Sequence, residues 1–244
     1  MTVIFTAASD QLIVMTADSA ITLEFQDGQR EYDTGRKVYP YAGVGCVATW
    51  GARDHNHIGS FLERQNITAS SHSIDDLANL VYQYLTTIYR PEELTLDDVG
   101  YHVAGFDRDG HPRLYHIFWG FDRPRPRDQY ERKYANYHHH PPSGDFQLLY
   151  NGRNDLAETT IIVLAAQIRA GKVVRFNLFT PTGIARFSDF AVRFAAELTP
   201  EVGPPFFMWL ISPDNQVQVI KNEMLCPVSE DKIGERLRKL GVIV

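Results

Sequence analysis

Thr2 carries a hydroxyl, and once Met1 is removed it also carries a free α-amine. Such an amine has a pKa of about 8, far below that of lysine, so near neutral pH part of it is unprotonated and can take the hydroxyl proton. Nucleophile and base then sit on one residue. Asp18 follows in Thr16-Ala17-Asp18-Ser19-Ala20, Lys37 in Gly35-Arg36-Lys37-Val38, and Gly51 in Ala48-Thr49-Trp50-Gly51-Ala52. A hairpin over the first twenty residues would return Asp18 to the neighbourhood of Thr2. Each residue alone has an ordinary reading: Asp18 caps a turn, Lys37 ends a strand in solvent, and Gly51 sits in a turn before a helix.

The elements that must position these residues are legible from apolar spacing. Thr2–Ala7 and Gln11–Thr16 read as paired strands, followed by Thr22–Gln26, Arg36–Tyr41 and Gly43–Ala48, with the polar stretch Asp27-Gly28-Gln29-Arg30-Glu31 between the third and fourth. Asp54–Arg64 carries Ile58, Phe61 and Leu62 at helical spacing. Ser73 with Asp76 forms a capping box for a helix reaching about Tyr89, stopped by Pro91. Val99–Phe106 and Pro112–Trp119 make a hairpin, and Phe121–Asp145, rich in Pro, Arg, Tyr and His without periodicity, reads as a long surface loop. A helix (Asp155–Ala170), a strand (Lys172–Phe179), a helix (Gly183–Leu198), strands Phe206–Ser212 and Gln216–Lys221, and a charged helix within the tail Ser229–Val244 complete the chain. Strands and helices come in groups, which indicates an α+β fold with helices covering a pair of sheets.

Composition narrows the function classes. A net charge of −6 over 244 residues gives no electrostatic reason for a nucleic-acid partner, and Asp122, Asp128 and Glu131 dilute the arginines and tyrosines of the long loop. No apolar run reaches the length that crosses a bilayer, and no basic-then-apolar leader opens the chain, so neither membrane nor secretion is expected and the protein is expected in the cytoplasm. Cys46 and Cys226 are expected as buried reduced thiols. His138, His139 and His140 cannot all face one metal from a strand, and no metal site is expected.

The order and spacing of Thr2, Asp18, Lys37 and Gly51 resemble the proteasome β-subunit and HslV branch of the N-terminal nucleophile hydrolases. The resemblance is clear from Thr2 to about Glu63, looser over Leu148–Ile220 and slight across Phe121–Asp145. It implies a four-layer αββα sandwich, one domain over residues 1–244, and a threonine-type amide hydrolase, a peptidase acting on peptides or proteins. It implies no metal or organic cofactor. In that picture Lys37 lowers the pKa of the Thr2 hydroxyl and amine, Asp18 holds Lys37 charged and oriented, and the Gly51 N–H faces the developing oxyanion. A strand-end lysine that is exposed would contribute no more than about 1 kcal/mol to folding. The family holds its terminal amine with a Gly-Ser-Gly segment and an Asp followed by Ser. This chain has Tyr150-Asn151-Gly152-Arg153 and Thr199-Pro200-Glu201-Val202-Gly203-Pro204 there, leaving Asn151 and Glu201 as substitutes. The resemblance also implies a homo-oligomer enclosing its active sites, with an ATPase or adaptor partner left open. The rival reading keeps the fold without the chemistry, as a non-catalytic assembly or binding subunit.

Overall fold

The structure, a computed structural model, describes residues 3–24, 30–51, 57–94, 98–121, 132–141, 143–152, 177–199 and 202–243. Among the described residues the chain forms two five-stranded antiparallel sheets and a two-stranded ribbon, with helices against the sheets. The first sheet has the order β10 (Phe146–Gly152), β1 (Val3–Ser9), β2 (Ile13–Ala17), β11 (Phe206–Ile211), β12 (Val217–Asn222). The second has the order β5 (Val38–Tyr41), β6 (Gly45–Gly51), β7 (Val99–Phe106), β8 (Pro112–Phe121), β9 (Arg132–His139), and the ribbon pairs β3 (Ala20–Glu24) with β4 (Arg30–Thr34).

Successive strand residues point to opposite faces, and β1 is buried on both. Ile4 and Ala8 join Met15, Cys46, Ala48, Trp50 and Ala104 in a core that draws on both large sheets, so the sheets meet face to face. Val3 and Phe5 turn the other way, onto Ala191 and Val192 of α4 (Pro181–Leu198). α5 (Glu230–Lys239) adds Ile233 and Leu237 to the cover of the first sheet. On the outer face of the second sheet, Ile58 and Leu62 of α1 (His57–Glu63) and Leu77 and Val81 of α2 (Ile74–Gln83) pack on Val47, Tyr101 and Val103.

Ser73 caps α2 as its spacing foretells: its backbone N–H donates to Asp76 Oδ2 (2.8 Å) and the Asp76 N–H donates to Ser73 Oγ (3.2 Å). Beyond Gln83 the helix widens into a π-helical stretch, Tyr84–Tyr89, closed by Arg90 at a φ of 47°. Pro91 then opens a short helix, α3 (Pro91–Leu94), its missing N–H costing nothing at a first helical position.

Three sequence expectations change. The stretch Phe121–Asp145 is not loop throughout: Arg132–His139 is β9, in register with β8 from Leu114↔His139 to Phe121↔Arg132, while residues 122–131 lie outside the described residues. Its contacts are rings rather than alternating aliphatics, with Tyr134 against Trp119 (4.9 Å between centroids) and His138 stacked on Tyr115 (4.2 Å), so hydrophobic periodicity does not show it. The polar segment around Arg30 contributes β4, whose ladder to β3 needs backbone and no apolar pattern. Cys46 is buried as expected, its thiol pKa pushed up by burial, but Cys226 is exposed. The expected helix Asp155–Ala170 and most of the strand Lys172–Phe179 lie outside the described residues, and 177–179 precede α4 as a turn.

Polar groups also tie the sheets across their shared face. At the β11–β12 turn, Asn215 Oδ1 accepts the Phe106 N–H (2.7 Å) and Asn215 Nδ2 donates to the Phe106 carbonyl (2.8 Å), so the side-chain amide pairs with the end of β7 as a strand would.

Candidate active site

Asp18 follows β2 and Lys37 precedes β5, so one comes from each large sheet, and the chain between them is the ribbon β3–β4. Both are almost wholly buried, at 1% and 3% exposure. Lys37 Nζ donates to Asp18 Oδ1 (2.9 Å) and to the Ala20 carbonyl (2.5 Å). The same Asp18 Oδ1 accepts the Val3 N–H (2.9 Å), and Oδ2 accepts the Ala20 N–H (3.1 Å). Lys37 is therefore not the solvated strand end that spacing alone suggests. Burial pushes the Asp18 carboxyl up and the Lys37 ammonium down, and each is pulled back by its partner's opposite charge.

Thr2 lies outside the described residues. Its carbonyl carbon is bonded to the Val3 nitrogen that Asp18 accepts from, so the carboxylate grips the peptide unit adjoining Thr2 while holding Lys37. Gly51 ends β6, and the Thr49 N–H donates to the Lys37 carbonyl (2.9 Å), which puts Gly51 near the same end of the second sheet. Its φ is +88°, and a Cβ there would stand 2.1 Å from the Asp98 carbonyl oxygen. Only glycine fits.

Asn151 pairs with Ile4 near the start of β1, and its carboxamide oxygen is engaged by a histidine. That oxygen meets His102 Nε2 (2.7 Å), while His102 Nδ1 meets the Thr6 hydroxyl (2.9 Å). With Asn151 Oδ1 accepting, Nε2 carries the ring proton and Nδ1 accepts from Thr6. Burial lowers the His102 pKa from 6.5 to about 4, so the ring is neutral. Its cross-strand neighbour His116, edge-on at 5.3 Å, is held well below the ordinary value by burial as well. Glu201 lies outside the described residues. His102 was not singled out from the sequence. The available signal was one imidazole in the otherwise apolar β7, Val-Gly-Tyr-His-Val-Ala-Gly-Phe.

A cavity of about 440 Å³ opens beside the ion pair, lined by Asp18, Ser19, Arg36 and Lys37 together with Phe207, Trp209 and Lys221. That volume lies in the range of small-molecule sites. Ser19 is buried, and its hydroxyl has no hydrogen-bond partner among the described residues; the same holds for the hydroxyls of Thr16 and Thr49. Among the described residues no three His, Cys, Asp or Glu side chains are placed to hold a metal ion, and no helix is long and apolar enough to cross a membrane.

No family model matches the sequence, and no curated protein matches it. Solved structures do match the fold over nearly the full chain. Anbu, described as an ancestral beta-subunit, from Yersinia bercovieri aligns with a TM-score of 0.59 at 13% identity, covering all of this chain (100%) and 97% of that one. Anbu from Hyphomicrobium sp. strain MC1 aligns at 0.57 with 9% identity, covering 99% and 97%. The chain of a helical assembly of the Anbu complex from Pseudomonas aeruginosa aligns at 0.56 with 14% identity, covering 98% and 92%. These matches correct the family reading made from Thr2, Asp18, Lys37 and Gly51. They are Anbu chains, a different identity from the proteasome β-subunit and HslV branch, and at 9–14% identity they establish a shared proteasome-like fold and no family membership.

Proposed function

We propose that the chain is a threonine-type amide hydrolase acting on peptides once processing exposes the Thr2 amine. Thr2 Oγ attacks the substrate carbonyl while its α-amine takes the hydroxyl proton and passes it to the leaving amine. Water then adds to the acyl ester with the same groups working in reverse. Lys37 lowers the pKa of both Thr2 groups, Asp18 orients Lys37, and the Gly51 N–H receives the oxyanion. The observation that carries this reading is the shared acceptor: one buried Asp18 oxygen holds both the Lys37 ammonium and the N–H of the residue after Thr2. Intact mass after incubation with a peptide carrying an acylating warhead tests it. One adduct on the wild-type chain and none on Thr2→Ala is expected, and an unmodified wild-type chain overturns the reading.

A second reading, a binding or assembly subunit without turnover, is favoured by one contact: the Asn151 oxygen is engaged by His102. Isolation of the protein from its own cell separates the two, since a chain still blocked ahead of Thr2 cannot use that amine.

We take the packed sheets and their helical covers as a four-layer αββα sandwich spanning residues 1–244 as one domain, assembled from identical copies. The fold likeness to a chain described as part of a helical assembly supports the last point. An enclosed site would also spare folded neighbours from a broad nucleophile. Light scattering at micromolar concentration is expected to give a multiple of the chain mass, and a monomer would remove the assembly from this reading.

A further inference from the structure

The cavity beside the ion pair has a chemical bias of its own. Phe207, Trp209 and Val38 give it an apolar wall, and every full charge on that wall other than Asp18 is positive: Arg36, Lys37 and Lys221. Asp18 is answered by Lys37 and by two backbone N–H groups. Lys221 is bridged to Glu223 (2.5 Å). Arg36 is different. It is exposed, its Nε donates to the Val38 carbonyl (2.9 Å), its guanidinium lies 5.0 Å from the Tyr39 ring centre, and among the described residues it has no carboxylate partner. The buried Ser19 hydroxyl, on the same cavity, is also without a hydrogen-bond partner among the described residues.

We infer that this cavity binds a carboxylate carried on an apolar body, with Arg36 pairing the carboxylate, Ser19 donating a hydrogen bond to it, and Phe207 and Trp209 packing on the body. A guanidinium and a hydroxyl both donate, and their common complement is an anionic oxygen pair. The apolar wall excludes a small hydrated ion as the preferred occupant. As a substrate pocket this rests on the hydrolase reading, and it then names the substrate class: peptides presenting a Glu or Asp side chain, or a free chain-terminal carboxylate, next to the bond that is cut.

Binding by the full chain carrying Thr2→Ala separates this from catalysis, because the proposed nucleophile is gone. Three labelled peptides are followed by fluorescence anisotropy: one with a central Glu and an amidated C-terminus, its Gln twin, and the Gln twin with a free C-terminal carboxylate. The Glu peptide is expected to bind about tenfold more tightly than the amidated Gln peptide, the gap narrowing at high salt. A gain confined to the free-terminus peptide supports the same site with the terminal carboxylate as its ligand. Arg36→Gln and Ser19→Ala are each expected to shrink the gap toward equality. Equal affinity for all three peptides, or a gap that survives Arg36→Gln, overturns the inference. If the acylation experiment fails while the Glu peptide keeps its advantage, the hydrolase reading falls and the carboxylate site stands.

Discussion

Two polar clusters occupy the seam between the large sheets, and they are built differently. At one end, beside the cavity, Asp18 and Lys37 bring opposite charges together, with Val3 and Ala20 adding backbone partners to the carboxylate. In the interior, His102 of β7 bonds Thr6 of β1 and Asn151 of β10 through its two ring nitrogens, its proton affinity suppressed by burial. At one place in the seam opposite charges are paired with each other and with backbone groups, and at His102 the same need for polar contact is met by a neutral ring. Below even that level, Trp50 Nε1 and His116 Nε2 are buried without a hydrogen-bond partner among the described residues, their rings 5.7 Å apart.

The contrast breaks most severely at the charged end. Lys37→Met strands a buried carboxylate and is expected to cost about 3–5 kcal/mol, while Asp18→Leu with Lys37→Met recovers much of the loss, because the pair's desolvation disappears with its attraction. Urea melts of the three chains check this, and a single variant as stable as wild type would mean the pair is not closed to water. Acid is the next lever. A histidine whose pKa falls from 6.5 unfolded to about 4 folded contributes stability that is whole above pH 6.5 and is lost as the pH drops toward 4. The span amounts to about 3 kcal/mol. Melts of wild type and His102→Gln across that window should differ in slope, and parallel curves would place the neutral ring's contribution elsewhere. Asn215→Ala, which orphans both backbone groups of Phe106, is expected to cost about 1–3 kcal/mol with little dependence on pH. Ser73→Ala, at a cap far from the seam, sets the scale of an ordinary exposed contact at about 1 kcal/mol by thermal melting.

Much of this architecture was legible because it is written in local spacing. The hairpin β1–β2, the Ser73–Asp76 box and the buried stripe Ile233, Leu237 of α5 all depend on residues a few positions apart. β9 was missed because its packing signal is a row of rings matched across to β8, which no single-strand periodicity records. At the site, the order of Asp18 and Lys37 was readable but the burial of Lys37 was not, since it depends on an acceptor 19 residues away. His102 is further still from legibility: its partners stand 96 and 49 residues away, on β1 and β10. The resemblance carried the α+β, proteasome-like outline of the fold and misplaced the kinship.

The amide pairing of Asn215 with Phe106 sets an offset. Two sheets stacked face to face through apolar side chains have nothing in their ladders that fixes how far one is slid along the other. The β11–β12 turn, locked to the last residue of β7, is such a stop. One strand position of slip is about 3.3 Å, more than the 2.9 Å that separates Lys37 Nζ from Asp18 Oδ1. Asn215 is thus one mark of a ruler laid along the seam, the Thr6–His102–Asn151 bridge is another, and the alignment of Lys37 on one sheet with Asp18 on the other is read from the far end.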